Sequence, residues 1–537
     1  MISLRKTAPF FVTIAVLLAI AACNSESEQK PPNILFAIAD DASWLHMSAY
    51  GCNWIRTPAF DKVAKKGLLF NRAYTPNAKC SPSRACILTG RNSWQLEEAC
   101  NHVPDFPQKF KTYVEVLSEN GYHTGYTGKG WAPGRAVDAD GNPRLLTGKK
   151  YSDITRQPPT NAISAIDYAA NFDAFMASRP QGEPFCFWYG GYEPHRAYEY
   201  GSGQRLSGKK PSDVDRVFDF YPDTEQIRND FLDYGYEIEH FDNHLNKMLQ
   251  ILEEKGELAN TIVIVTADNG MPFPRIKGQA YEYSNHLPLA MMWLGHVQDP
   301  GRKITDLVSF IDLAPTILQA AGISGEAQGM QPITGKALQS FFQSNDTLGL
   351  QGRNDFVLLG KERHDIGRPD DQGYPVRGLL QGDMLYLKNF EPNRWPSGNP
   401  ETGYLNCDGS PTKTFLLNEF RAGETAERWD LAFGKRPPTE LYNIKRDPDC
   451  MHNLAYNPAQ APFIRDADLL LMQTLKEQGD PRALGNGVIF DQYKYANEKQ
   501  HDFYNRFMAG DLDASSAGWV EPTDFEKPAD QGDRPIN

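Results

Sequence analysis

The sequence predicts an α/β fold: a mostly parallel central sheet flanked by helices, followed by a smaller C-terminal antiparallel sheet with a helix. Three observations lead to it. Asn33–Ala39 (NILFAIA) and 261–266 (TIVIVT) are unbroken apolar runs of strand length, as expected of strands buried on both faces. Stretches of helical spacing alternate with such runs, a βα pattern that implies a parallel sheet. Polar clusters stand just past the strand ends, where open α/β sheets place their ligands.

Taken in order, the first strand ends at Asp40-Asp41, and 57–68 has helical spacing, with Phe60, Val63, Ala64 and Leu68 on one face and Gly67 at its end. The stretch 80–91 (CSPSRACILTGR) is a small-residue turn entering an apolar helix start. A thiol at such a helix N-terminus is a candidate for a lowered pKa. Tyr113–Asn120 reads as a helix closed by Gly121, and a strand through 124–127 delivers Lys129-Gly130-Trp131. The aromatic run 185–189 leads to Glu193-Pro194-His195-Arg196. The longest helical pattern, 226–255, carries Phe231, Tyr234, Ile238, Phe241, Leu245, Met248 and Leu252 on one stripe. The strand after it ends at Asp268-Asn269-Gly270, and 306–321 reads as a helix. Composition changes near residue 345, so 31–345 is expected to form the main α/β domain and 346–537 a smaller subdomain. Strands are expected there at 356–359 and 384–387, with a helix from about 463 to 477 and an irregular tail from Asp513.

The chain has 537 residues, 40% apolar and 12% aromatic, enough for a large core, with 44 Gly and 38 Pro among many ordered loops. A net charge of −13 excludes general nucleic-acid binding, which needs clustered cations against phosphates. An anionic substrate must then be met by local positive charge. Residues 1–22 hold Arg5, Lys6 and an apolar run from Pro9, an export signal too short to span a membrane. Cys23 follows, with a polar tether over 23–30. Six further cysteines besides Cys23 and Cys80 leave disulfide pairing open.

Five clusters, most of them at strand ends, make up the candidate site: Asp40-Asp41, Cys80 with Arg84, Lys129, His195, and Asp268-Asn269. Hard oxygen ligands from two separate strands suit Ca²⁺ or Mg²⁺ rather than Zn²⁺, and Ca²⁺ is the reading adopted.

Cys80-x-Pro-Ser-Arg84 followed by Leu-Thr-Gly-Arg resembles the maturation motif of type I sulfatases, and the resemblance runs through nearly the whole mature chain. It implies an alkaline phosphatase-like sulfatase fold and oxidation of Cys80 to formylglycine by a maturase, with Arg84 anchoring the aldehyde hydrate. It further implies calcium held by Asp40, Asp41, Asp268, Asn269 and residue 80, and Lys129, His195 and Lys277 as catalytic groups around the sulfate. Asp268-Asn269-Gly270-Met271-Pro272-Phe273-Pro274 and Glu193-Pro194-His195-Arg196 resemble the heparan N-sulfatase group. Ile20-Ala21-Ala22-Cys23 resembles a bacterial lipobox, implying lipidation of Cys23 and a cell-envelope location. One departure stands out: where the family has Lys-x-His, this chain has Lys129-Gly130-Trp131, so Trp131 either shapes a sugar subsite or is a core residue.

Substrate specificity is expected from the second subdomain. His364 and Arg377 are the first choices for binding a sulfated oligo- or polysaccharide, with Arg363, Lys361, Arg368 and Arg394-Trp395 as further candidates. The expected activity is sulfate hydrolysis from heparan-type or algal ulvan-type glycans. The rivals are a phosphonate or phosphodiester hydrolase of the same superfamily and an inactive glycan-binding lipoprotein.

Overall fold

In the computed structural model, which describes residues 30–344 and 355–526, the two apolar runs lie side by side at the middle of a sheet. Its strands are β1 (Asn33–Ala39), β2 (Leu68–Phe70), β4 (His123–Gly128), β5 (Lys149–Lys150), β6 (Phe185–Gly190), β7 (Thr261–Ala267), β8 (Leu289–Trp293) and β9 (Arg302–Ile304); β3 (Ala73–Tyr74) pairs separately with β10 (Val308–Ser309). Among the described residues the order is β5-β4-β6-β1-β7-β8-β2-β9. The run from β5 to β7 is parallel, and β8 is antiparallel to both its neighbours.

Side chains alternate along a strand, so a strand with helices on both faces must be apolar at every position. In β1, Leu35, Ala37 and Ala39 enter the core under the helices Pro58–Lys66, Tyr168–Ser178 and Glu225–Glu254. Ile34, Phe36 and Ile38 enter the opposite core under Cys80–Thr89, Tyr113–Glu119 and Leu313–Ala320. The predicted stripe of Glu225–Glu254 is buried throughout, and seven such side chains contribute roughly 10–20 kcal/mol of transfer free energy.

A second sheet, β11 (Phe356–Lys361), β12 (Val376–Gln381), β13 (Met384–Asn389) and β14 (Thr439–Asn443), is antiparallel throughout. One face packs with Tyr74 and Tyr281, the other under Leu471 and Leu475 of the helix Ala461–Glu477. The sequence pattern does not announce β12 or β14, because Arg377 and Gly378 interrupt the first and the second is a short run beside a Pro pair. Both sheets belong to one compact unit beginning at Pro32. The division placed at 345 lies outside the described residues, as do the signal segment and Cys23.

Two expectations are corrected. Residues 306–321 are not one helix: Val308 and Ser309 pair with Ala73 and Tyr74, Phe310–Asp312 forms a 3₁₀ turn, and the α-helix starts at Leu313. The carboxylate of Asp312 accepts from the Ser309 N–H at 3.2 Å, which caps the turn and explains the late start. Residues 513–526 are folded rather than irregular, with Asp524 buried 3.0 Å from Lys413. Among the described residues no helix is long and apolar enough to cross a membrane.

Candidate active site

Strand register assembles the site. Ala39 lies opposite Ala267 and Gly128 opposite Gly190, so Asp40, Asp268, Lys129 and the 191–196 loop all emerge at the carboxyl edge of four adjacent parallel strands. Asp41 has a φ of 74°, a left-handed conformation that an Asp tolerates better than most residues and that turns the chain over the sheet edge. A side chain at Gly190 would collide with the Lys129 carbonyl at 1.8 Å, so glycine is required where the Lys129 loop crosses β6.

Cys80 opens the helix Cys80–Thr89. Pro82 fits in this first turn because its missing N–H has no intrahelical partner there, and Gly90 closes the helix in the left-handed region. The thiol lies 3.5 Å from Asp40 Oδ1 and is fully enclosed. Burial pushes its pKa well up, and Asp40, Asp268 and Asp41 add to this against the pull of Lys129. The expectation of a lowered pKa is therefore corrected, since desolvation outweighs the helix terminus and residue 80 is a poor nucleophile as a thiol.

Arg84, one turn on, donates from Nε to Asp268 Oδ2 at 2.8 Å and from Nη1 to the carbonyls of Lys129 and Gly130 at 2.9 and 2.8 Å. Lys129 Nζ lies 2.5 Å from Asp40 Oδ2. For Asp40 burial works upward, but the neighbouring cations, Lys129 foremost, outweigh it and hold the carboxyl well below its usual range.

The ligand atoms of Asp40, Asp41, Cys80 and Asp268 lie within 4.8 Å of one another. Asn269 donates from Nδ2 to Asp41 Oδ1 at 2.6 Å, while its buried Oδ1 has no hydrogen-bond partner among the described residues. Burial and then the charge of Asp40 push Asp268 upward. Three converging carboxylates and an unpartnered amide oxygen fit a hard divalent cation.

A second acidic group, Asp41, His195 and Asp408, is also within 4.8 Å, but a lysine fills it. Lys277 Nζ lies 2.7 Å from Asp41 Oδ2, 2.6 Å from Asp408 Oδ2 and 3.0 Å from His195 Nε2. Burial would lower the pKa of Lys277, but Asp408 and Asp41 raise it well above its usual value. The loop bearing His195 is anchored by Arg196, which donates to both oxygens of Asp230 at 2.8 and 2.9 Å and to the Pro272 carbonyl. The predicted residues Asp40, Asp41, Cys80, Arg84, Lys129, His195, Asp268, Asn269 and Lys277 thus converge.

The glycan-binding choices do not. Arg377 is fully buried and ion-paired to Asp480 and Glu362 at 2.8 Å each. Arg363 is buried and donates to the carbonyls of Tyr493 and Lys494. His364 is buried between Asn77 Oδ1 at 2.6 Å and the Gly278 carbonyl at 3.1 Å. Trp131 is 9% exposed, donates to the Ser81 carbonyl at 3.0 Å and packs edge-on against Phe106, bracing the Cys80 helix rather than lining an open subsite. Lys361 and Arg368 also point at backbone carbonyls, and Arg394 pairs with Asp491. These cations hold loops together, which spacing alone does not distinguish from ligand binding.

Sequence reasoning missed Asp408 and the chain Lys79–Asp365–His102, with contacts of 2.6 and 2.8 Å. Their only signals were adjacency: Lys79 precedes Cys80, and Asp365 follows His364.

A cation-compatible cluster at the carboxyl edge of a parallel sheet, with Lys129, Lys277 and a buried Cys80 among its carboxylates, is the arrangement of an enzyme that handles an anionic substrate. The family pattern described as Sulfatase matches residues 32–323, and the chain belongs to that family. It is 27% identical over 481 residues to the N-sulphoglucosamine sulphohydrolase of Homo sapiens, covering 84% of this chain and 90% of the relative. It is 25% identical over 466 residues to an ulvan-active sulfatase of Formosa agariphila, covering 85% and 82%. A solved structure of a protein in complex with its substrate D-glucosamine-2-N,6-O-disulfate shares the fold at a TM-score of 0.60 and 19% identity, covering 84% of this chain and 99% of that one.

Proposed function

We propose that this chain is a formylglycine- and calcium-dependent sulfatase that removes sulfate from sulfated carbohydrates of the heparan or ulvan type. The observation that carries the reading is the convergence of Cys80, Arg84 and Lys129 with the acidic cluster on one side and Lys277 and His195 on the other. Oxidised by a maturase to formylglycine, residue 80 supplies a hydrated aldehyde with two hydroxyls, one to take the sulfuryl group and one to let it go. A Ca²⁺ held by Asp40, Asp41, Asp268 and Asn269 supplies a positive charge for the sulfate oxygens.

The chain's own residues do the rest. Arg84 locks Asp268 and the Lys129 loop beside residue 80. Lys129 and Lys277 present fixed ammonium groups to the sulfate from two sides, in a pocket whose burial strengthens their pull. Asp268, whose carboxylate lies within 4.8 Å of the residue 80 side chain, would accept the proton of an attacking hydroxyl, and Lys277 or His195 would serve the departing sugar atom.

Peptide mass analysis of residue 80, combined with assays on 4-nitrophenyl sulfate and 4-nitrophenyl phosphate in the presence of Ca²⁺, tests the reading. Formylglycine with sulfate preferred supports it. Phosphate preferred favours the phosphohydrolase alternative, and turnover with intact Cys80 overturns it. Lipidation of Cys23 and an envelope location belong to the same proposal, supported by the leader and Ile20-Ala21-Ala22-Cys23. Acyl labelling of wild type and Cys23→Ser tests that part.

A further inference from the structure

Cys80, Arg84, Asp40, Asp41 and Asp268 are all enclosed, whereas the His195 side chain is 32% exposed. Among these residues the opening to solvent therefore lies at His195. Asp408 borders that opening. Its carboxylate lies within 4.8 Å of the His195 ring nitrogen, and its Oδ2 accepts from Lys277 at 2.6 Å.

Asp408 is itself buried, 5% exposed, but differs from the carboxylates that hold the fold in how its oxygens are used. Asp365 gives one oxygen to Lys79 and the other to His102, and Asp480 gives both to Arg377. For Asp408 only Oδ2 is engaged, and Oδ1 makes no hydrogen bond among the described residues. The groups facing it are Lys277, Lys79 and His195, and the charge of Lys79 is already neutralised by Asp365. Lys277 itself shares its charge between Asp408 and Asp41. The pocket mouth thus presents an acceptor with a spare oxygen, one lysine away from the sulfate.

Resting on the sulfatase reading, we propose that Asp408 selects the sugar. Its Oδ1 accepts a hydrogen bond from a hydroxyl or amine next to the scissile sulfate, and its charge turns away a sugar with a second sulfate or carboxylate at that neighbouring position. The substrate class is a residue whose scissile sulfate stands beside a free hydrogen-bond donor. A carboxylate close to two anions can only repel the one not shielded by Lys277 and the metal site, so Asp408 acts by acceptance and exclusion together.

The test compares wild type, Asp408→Asn and Asp408→Ala on three probes: 4-nitrophenyl sulfate, glucosamine N-sulfate and glucosamine N,3-O-disulfate. A second pair, galactose 4-sulfate and galactose 3,4-disulfate, covers O-sulfate. Because Asp408 touches Lys277, some loss on the aryl sulfate is expected in both variants. The expected result is a further loss on the monosulfated sugar of about tenfold or more in kcat/KM, carried by KM, as for one hydrogen bond to a charged group. The ratio of disulfated to monosulfated turnover should rise by a similar factor. Equal losses on all probes would make Asp408 a support for Lys277 and overturn the proposal, as would no change in the ratio. Thermal melts identify a misfolded variant, in which case Asp408→Glu is judged by the same ratio. Wild type inactive on every sulfate would instead refute the sulfatase reading, and shows without any substitution.

Discussion

The ammonium of Lys277 stands 3.0 Å from Nε2 of His195, and that contact assigns the histidine's proton. His195 Nδ1 lies 2.6 Å from the Arg196 carbonyl, which can only accept, so Nδ1 carries the hydrogen and Nε2 offers its lone pair to the ammonium. In this arrangement the three N–H groups of Lys277 go to Asp41, Asp408 and His195, and Lys277 serves a departing atom by giving up one of them.

Lys277→Ala should therefore lower kcat/KM on a sugar sulfate by about 10²–10⁴-fold, the usual worth of a positioned acid–base group. The loss on 4-nitrophenyl sulfate should be smaller, because nitrophenolate departs without a proton. Steady-state kinetics on both substrates decide it, and equal losses would confine Lys277 to holding the sulfate.

Cys80→Ala should abolish turnover without lowering the melting temperature by more than a few degrees. The thiol is buried among carboxylates and contributes one weak contact, at 3.5 Å to Asp40. A calorimetric scan beside the activity assay checks both halves.

Asp268→Asn should abolish binding of a divalent cation and destabilise the fold together. Arg84 Nε loses a charged partner at 2.8 Å in a fully buried setting, and breaking such a pair costs about 3–5 kcal/mol. Elemental analysis and urea unfolding would show the two effects. A variant retaining both metal and stability would remove Asp268 from the site.

Arg377→Ala should act on stability, not on glycan binding. It leaves Asp480 unpaired in the interior, and Glu362 keeps only Arg482, so a loss of about 3–5 kcal/mol is expected. The kcat/KM values of the surviving folded protein on aryl and sugar sulfates should stay in the wild-type ratio. A selective rise in KM on the sugar would return Arg377 to the binding surface.

His46 makes folding acid-sensitive. Burial holds it down at about 3, against roughly 6.5 in an unfolded chain. The unfolded chain takes up a proton that the native imidazole refuses, so its contribution is complete above pH 6.5 and is lost as the pH falls toward 3. His46→Gln should flatten the decline in unfolding free energy over that window by up to about 1.4 kcal/mol per pH unit. Urea titrations at stepped pH measure the slope, and an unchanged slope would contradict it.

The strands β1 and β7, the long helix and the polar clusters that converge past the strand ends are all legible in the residue order. Each was legible for a local reason: a strand covered on both faces must be apolar at every position, and a strand end that meets a ligand must turn polar. The motif around Cys80 carried the family in its residue order. What the cations of the second sheet do is settled by long-range contacts. Arg363, Arg377 and Arg394 have the composition of a glycan site, yet each meets a carboxylate or carbonyl contributed by residues 100 or so positions away, and no spacing rule reports such partners. The same holds in reverse for Asp408, which reads as a turn residue in Cys407-Asp408-Gly409 and becomes part of the pocket only because Lys277, 131 residues earlier, reaches it. Charge and hydrogen-bonding capacity are written in the chain, but whether they are spent on the fold or left for a ligand is set by burial and by which distant groups arrive beside them.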